Sequence, residues 1–355
     1  MKVSVVIPMY NSASFIEKTL RCVLAQDFQD FEVIVVNDGS TDGSSDVVRA
    51  IGDPRIRVID KPNTGVSDTR NVGNAAARGE YIASLDSDDY WYPDHLSEAM
   101  AFFDANPYVV WYGARQYSIA FDEPPPEHRR QLRCFKKRNF FVDGKRYIHS
   151  SSMVFRRDII GRCGKYPIDM AYFEDWMFQG QIGAEFPIVG TNNRVTSIYN
   201  RGRPGSATMI DTEDRTEDYR RVLHVLEDAV DRNEVKSPTW VLSISKLFFR
   251  TMLFKHGRDE VLSAIQEFRG LNGRMRTGRW RRFVKAAYML SDGMMQAWLV
   301  LMVKKGFKGR LLDAIPIMRK CGAWCCFKWL AIVSLYTARG IMDAIQDKLE
   351  RPTSR

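Results

Sequence analysis

An α/β fold with a mostly parallel central sheet is predicted for the N-terminal part of this 355-residue chain by three observations. Short apolar runs alternate with stretches of helical periodicity over the first hundred residues, the runs are too continuous to leave a solvent face, and each one ends in polar turn residues. Strands buried on both faces and separated by helix-length segments build right-handed βαβ units.

Taken in order, Val3 to Ile7 reads as a strand, Ser14 to Gln26 as a helix, Phe31 to Val36 as a strand and Thr41 to Ala50 as a helix. Ile56 to Ile59 is the third strand, Val66 to Arg78 the third helix, Tyr81 to Leu85 the fourth strand, and another helix begins near Pro93. From about 118 to 146 the alternation breaks into Pro124-Pro125-Pro126 and the basic residues Arg129, Arg130, Arg133, Lys136, Lys137 and Arg138, which reads as a loop over one end of the sheet. Ser150 to Phe155 resumes as a strand, a helix starts near Glu174 and Asp175, Arg194 to Tyr199 is a further strand, and the chain beyond 215 is helical in pattern.

Ligands of parallel sheets bind beyond the carboxyl ends of the strands. The first strand ends in Pro8-Met9-Tyr10-Asn11, the second in Asn37-Asp38-Gly39-Ser40, the third in Lys61-Pro62-Asn63-Thr64-Gly65 and the fourth in Leu85-Asp86-Ser87-Asp88-Asp89. Polar and aromatic groups at four strand ends on one edge predict a nucleotide cleft, although turn chemistry alone accounts for the second. The glycine fingerprint of a dinucleotide fold and a P-loop are both missing after the first strand. Three carboxylates within four residues at the end of a core strand repel one another unless a cation or a set of hydrogen-bond donors sits among them. Hard divalent ions take such oxygens together with a substrate's phosphates, so the cluster points to a metal–diphosphate site. The alternative is that Asp88 and Asp89 cap the following helix.

The six cysteines have neither disulfide-framework nor zinc spacing, and the N-terminus opens directly on a strand rather than on a signal peptide's apolar region, so reduced thiols and a cytosolic protein are expected. Charge is unevenly spread. Residues 1–245 hold 30 Lys and Arg against 35 Asp and Glu, whereas residues 246–320 hold 17 against 5, interleaved with Trp280, Phe283, Tyr288, Trp298 and Phe307. Two nearly apolar stretches, Met294 to Val303 and Cys321 to Tyr336, are too short to span a bilayer and are flanked by Lys304, Lys305, Lys308, Arg310, Arg319 and Lys320. That pattern predicts amphipathic helices on an anionic membrane surface, the alternative being helices packed on the rest of the chain.

The motifs Val-Val-Ile-Pro-Met-Tyr-Asn (5–11), Val-Val-Asn-Asp-Gly-Ser-Thr-Asp (35–42), Thr69-Arg70-Asn71 with Gly73, Leu-Asp-Ser-Asp-Asp (85–89) and Phe-Glu-Asp-Trp (173–176) resemble those of the family-two glycosyltransferases, inverting enzymes of the GT-A fold. The resemblance spans roughly residues 1–210. It implies a GT-A catalytic domain over 1–215, with a donor half of about 1–117 and an acceptor half of about 118–215, followed by a helical region over 216–355. The expected donor is a nucleoside-diphosphate sugar, most often of uridine, and the expected cofactor is Mn²⁺ or Mg²⁺. In this reading Asp38 accepts from the base, Tyr10 offers it a ring face, Asp86 holds the ribose or a water, and Asp88 binds the metal bridging the two phosphates. Pro8, Asn11, Asn63 and Ser87 complete the donor side, and Arg70 adds a cationic contact unless it is an ordinary surface arginine. Asp175 is the expected general base, with a helix cap as its alternative, and His149, Glu174 and Trp176 face the acceptor.

One segment departs from the family pattern. Where relatives carry an Arg-x-His-Pro-Gly-Ser-like histidine that can complete the metal shell, this chain reads Arg201-Gly202-Arg203-Pro204-Gly205-Ser206. Arginine cannot ligate a metal but binds phosphate bidentately, which implies that Arg201 and Arg203 clamp the diphosphate. The resulting expectation is an inverting transferase adding a sugar to a glycan or polyprenyl-linked acceptor at the inner face of the cell membrane. A nucleotidyltransferase would show a Gly-rich basic loop after the first strand, which is lacking. A non-enzymatic binder of nucleic acid or another anionic polymer leaves Asp38, Asp86, Asp88 and Asp175 without a role.

Overall fold

The computed structural model describes residues 1–120, 123–128, 132–142, 148–202, 216–235, 241 and 258–268. It forms two compact units, Met1–Ser245 and Lys246–Arg355. In the second, the described part is one helix, α8 (Arg258–Glu267).

The first unit is built on the sheet that the apolar runs predict. β1 (Val3–Met9), β2 (Phe31–Asp38) and β4 (Tyr81–Ser84) are buried along their whole length, and β3 (Ile56–Lys61) lies half-buried at one edge. Between them run α1 (Ile16–Leu24), α2 (Ser44–Ala50) and α3 (Val66–Ala76). α1 buries Ile16, Thr19, Leu20 and Val23, the one-sided stripe of a helix lying on a sheet. β1 pairs in parallel with both β2 and β4, and β2 with β3, so the four carboxyl ends share one edge. The strand order β3-β2-β1-β4 reverses direction at β1. The crevice between the ends of β1 and β4 is therefore the switch point at which such sheets bind ligands.

The second half of the sheet departs from expectation. After β5 (Tyr90–Trp91) and α4 (His95–Ala105), β6 (Trp111–Ala120) runs on into the segment expected to be a loop, and β7 (Phe135–Asn139) lies inside the basic run itself. β7 pairs antiparallel with Ile188–Asn192, and Lys136 and Lys137 are exposed on it. Charged residues are what protein edges use to discourage further pairing, so a strand here carries the composition of a loop. The described part of the proline segment is pinned rather than free: Tyr92 donates its hydroxyl to the Pro126 carbonyl at 2.6 Å, and His128 lies 3.0 Å from Asp94 and stacks on Tyr92.

A 3₁₀ turn (Ser150–Ser152) precedes β8 (Met153–Arg156), which is sandwiched antiparallel between β4 and β6. A second 3₁₀ turn (Arg157–Ile159) and the short α5 (Ile160–Cys163) lead to α6 (Glu174–Glu185) and β9 (Ile188–Arg201). β9 begins well before the expected Arg194, and the polar residues Thr191 to Asn193 hid that start in the sequence; Asn192 is buried there, donating to Glu98 at 2.6 Å. α7 (Thr216–Arg232), which the sequence places in a separate helical region, belongs to the first unit. It buries Tyr219, Val222, Leu223, Leu226, Ala229 and Val230, and Leu226 comes so close to Gly180 of α6 that a Cβ there would sit 3.1 Å from it.

Candidate active site

The switch point carries the predicted residues in three groups. At the end of β1, Tyr10 is about half exposed, and Asn11 adopts φ +46°, a conformation that asparagine tolerates better than most residues. Asn11 ties β1 to the loop after β2, with its side-chain oxygen accepting from the Thr41 amide at 2.9 Å and its own amide donating to Ser40 at 3.0 Å. Ser12 and Ser87 pair their hydroxyls at 2.8 Å, which closes the crevice between β1 and β4 at its floor. Pro8, expected on the donor side, is buried within β1.

Asp38 forms the second group. Its carboxylate accepts from the Thr64 amide at 2.9 Å, the Gly65 amide at 3.0 Å and the Lys61 ammonium. A carboxylate has about four acceptor positions, so three donors leave one for a ligand, on the oxygen that Gly65 holds. The same bonds fix the loop carrying the exposed Asn63, whose backbone nitrogen packs against Gly39 (φ +72°).

The third group is the aspartate turn between β4 and β5, where the partners of Asp86 and Asp89 can be named. The capping alternative for Asp88 and Asp89 fails, because α4 starts at His95 and its flanking residue is Asp94. Asp89 is buried and points inward: it accepts from the Asn200 amide of β9 at 2.9 Å and from the Ser151 hydroxyl, and it lies 3.5 Å from His149 Nδ1. Asp86, Asp89 and His149 bring ligating atoms within 4.8 Å of one another. Asp88, the residue expected to bind metal, is not one of these three; it sits half-buried on the same turn. His149, expected on the acceptor side, accepts from the Ser151 amide at 3.3 Å through Nδ1, packs against Tyr199 and lies beside the aspartates.

Arg70 is neither a surface arginine nor an unengaged cation. It is buried, donates to Asp86 at 2.8 Å and to Glu174 at 2.7 Å, and lies over the Tyr166 ring. One guanidinium thus joins the aspartate turn to the first turn of α6, and Glu174, expected on the acceptor side, is its partner. Removing one member of a buried charge set leaves the others uncompensated. With Asp86 and Glu174 partly solvated, Arg70→Met is expected to cost about 3 kcal/mol, read as a lower urea midpoint at unchanged slope.

Next to Glu174, Asp175 accepts from the Trp176 amide at 2.8 Å and approaches the Ser150 hydroxyl at 3.5 Å. It is not the helix cap; Phe173 occupies that place with φ +61°. Trp176 is half-buried and packs on Phe173. Arg201 ends β9 in an exposed position, and Arg203 lies outside the described residues.

The electrostatics separate these acids. Burial pushes the Asp175 carboxyl up to about 6 against the opposing pull of Arg70 and the Trp176 amide. Burial also works against an ionised Asp86, but the Arg70 charge and the Arg70 and Ser151 hydrogen bonds outweigh it and hold that carboxyl below the usual range. Asp89 is driven well above the usual range by burial, then by the charges of Asp88 and Asp86. His149 is pushed down by burial, which keeps its imidazole neutral and able to ligate. A divalent cation would relieve the repulsion around Asp89, and two carboxylates with a neutral imidazole are a donor set that suits Mn²⁺ and accommodates Mg²⁺. Sequence reading missed Ser151, whose hydroxyl, amide and carbonyl tie Asp86, Asp89, His149, Trp91 and Ser197 together; its signal was three consecutive serines that turn out fully buried.

Residues 4–164 match the family model described as Glycosyl transferase family 2, and the chain carries a domain of that family in the GT-A fold. Relatives include an uncharacterized glycosyltransferase of Nostoc sp. (39% identical over 112 residues), the uncharacterized glycosyltransferase EpsJ of Bacillus subtilis (48% over 90) and the chondroitin synthase of Pasteurella multocida (43% over 94). These matches cover 31%, 25% and 26% of this chain and 35%, 26% and 10% of the relatives, so the chain spans at most about a third of their length. Among solved structures, S. aureus TarS 1–349 superposes with a TM-score of 0.59 at 18% identity, over 83% of this chain and 90% of that one. The same protein in complex with UDP-GlcNAc gives 0.56 at 19% identity, over 88% and 89%.

Proposed function

We propose that this chain is an inverting, metal-dependent glycosyltransferase that moves a sugar from a nucleoside-diphosphate sugar to a hydroxyl of a glycan or polyprenyl-linked acceptor in surface polysaccharide synthesis. The observation that carries it is that Arg70 joins the aspartate turn at the switch point to Glu174 on α6, whose neighbour Asp175 is pushed up to about 6 by burial. In-line displacement needs both: charge stabilisation where the diphosphate leaves and a base where the hydroxyl attacks. Asp86, Asp89 and His149 are the residues that would hold Mn²⁺ or Mg²⁺, with Asp88 beside them. The cation would neutralise charge on the departing diphosphate. Tyr10, Asn63 and the remaining acceptor position of Asp38 would meet the base, Arg201 and Arg203 the phosphates, and Asp175 would take the acceptor's proton with Trp176 at its side. A uridine donor is favoured by the UDP-GlcNAc complex of TarS. A thermal-shift panel of UDP-, GDP-, dTDP- and CMP-sugars with Mn²⁺ identifies the donor, and NMR of the product identifies its anomer. A retained anomer would overturn the single-displacement mechanism.

Chemistry is assigned to the unit Met1–Ser245, α7 included, and attachment to an anionic membrane to residues 246–355, with the cytoplasmic face of the cell membrane as the proposed location. Among the described residues no helix is long and apolar enough to cross a membrane; the two apolar stretches at 294–303 and 321–336 lie outside them. The full chain is expected to co-sediment with phosphatidylglycerol vesicles and to be released progressively by salt, because exposed charges are screened within about 10 Å at 0.1 M. Indifference to anionic vesicles at low salt would remove the membrane from the proposal.

A further inference from the structure

Resting on the reading of Asp175 as the base, we propose that α7 is a positioning element for catalysis, in which Asp218 and Tyr219 hold the bend at Phe173 that sets the first turn of α6. The segment 169–173 delivers the chain into α6, and α7 grips nearly all of it. Asp218 accepts from the Ala171 amide at 3.1 Å and the Tyr172 amide at 2.9 Å with a single carboxylate oxygen. Arg221 meets both Asp169 oxygens, at 3.0 and 2.9 Å, and the Asp169 carbonyl at 3.2 Å. The Phe173 and Tyr219 rings lie 4.0 Å apart, and Trp176 closes on Tyr219 edge to face at 5.9 Å.

Phe173 needs such support. Its φ of +61° is a left-handed conformation that costs a residue with a bulky Cβ and persists only where its surroundings impose it. Two residues later stands Asp175, so a Phe173 relaxed to ordinary backbone would redirect the first turn of α6 and with it the carboxylate. α7 can impose the bend because it is itself fixed by its buried face and by its close contact with Gly180. It also lies beyond residues 4–164, the part that matches the family model. The base would then be set by a helix outside the matched segment, while the donor groups on β1, β2 and β4 lie within it.

The test uses Tyr219→Ala and Asp218→Ala in the full chain, with Tyr219→Phe as the variant that keeps the ring. Turnover is measured with whichever panel sugar nucleotide the unaltered protein consumes fastest, and nucleotide binding with UDP and Mn²⁺ by thermal shift. Misplacing a catalytic group by about 1 Å costs up to about a hundredfold, so both alanine variants are expected to lose at least about tenfold in kcat. Donor KM and the UDP shift should stay within about twofold, and Tyr219→Phe should restore kcat. Undiminished kcat in either alanine variant overturns the inference, as does a loss matched by an equal rise in donor KM or shared by Tyr219→Phe. Asp175→Asn run alongside separates the two ideas: an active Asp175→Asn ends the base assignment, whereas an inactive one beside a fully active Tyr219→Ala ends only the role of α7.

Discussion

Asp175→Asn is expected to lower turnover by a factor on the order of a hundred or more while leaving donor affinity near normal. Asparagine keeps the size of the side chain and an oxygen able to accept from the Trp176 amide, so the start of α6 should survive. What it loses is the basicity of the carboxylate, which the proposal uses to take the acceptor's proton. The unaltered enzyme should also report this group in its pH dependence. The base works only when ionised, and its carboxyl stands at about 6. Turnover should therefore rise with pH through that value and flatten above it, with about a tenth of the plateau remaining one pH unit below. Initial rates at saturating donor between pH 4.5 and 8 check this. If donor affinity collapses together with turnover in Asp175→Asn, the residue binds substrate and the proton goes elsewhere.

The half of the sheet proposed to bind the donor was legible because its physics is local. β1, β2 and β4 are buried on both faces, so they read as apolar runs, and the helices between them carry one-sided stripes. Strand ends then followed from chain order, and the order predicted which loops share an edge. The other half obeys no such rule. β7 is charged because it is an edge, β5 is only two residues long, and the polar first half of β9 is buried by Glu98, a partner 94 residues away.

The site divides in the same way. That Asp86, Asp88 and Asp89 matter was visible from their unfavourable position at the end of a core strand. Which of them turn inward was not, because this depends on Ser151 and Asn200, 62 and 111 residues from Asp89. Arg70 shows the limit most clearly. Its spacing on α3 is compatible with a solvent-facing side chain or a phosphate contact, and its actual partner Glu174 is 104 residues on. Long-range charge pairing has no periodicity to read.

The second large effect concerns the cation, and it distinguishes the triad from the spacing of the motif. Asp89→Asn keeps an oxygen for the Asn200 amide and gains an amide that can donate to the Ser151 hydroxyl, so the turn retains its bonds while losing its charge. A ligand at a hundred times its dissociation constant stabilises a fold by about 2.7 kcal/mol, and the Asp89→Asn variant is expected to abolish that Mn²⁺-dependent increment of UDP binding together with transfer activity. His149→Ala should lower metal affinity by at least about 10- to 100-fold, the loss that removing even a group supporting a ligand causes. Asp88→Asn should reduce the increment less than Asp89→Asn, because Asp88 is outside the group whose ligating atoms converge. Chelation with EDTA should bring the unaltered protein to the level of Asp89→Asn, with activity restored by Mn²⁺ in the former alone. Thermal shifts with UDP across a Mn²⁺ titration, run on all four proteins, give the order. Should Asp88→Asn lose the increment and Asp89→Asn keep it, the second aspartate of the motif is the ligand after all, and the buried Asp89 with His149 is a brace that holds the turn against β9.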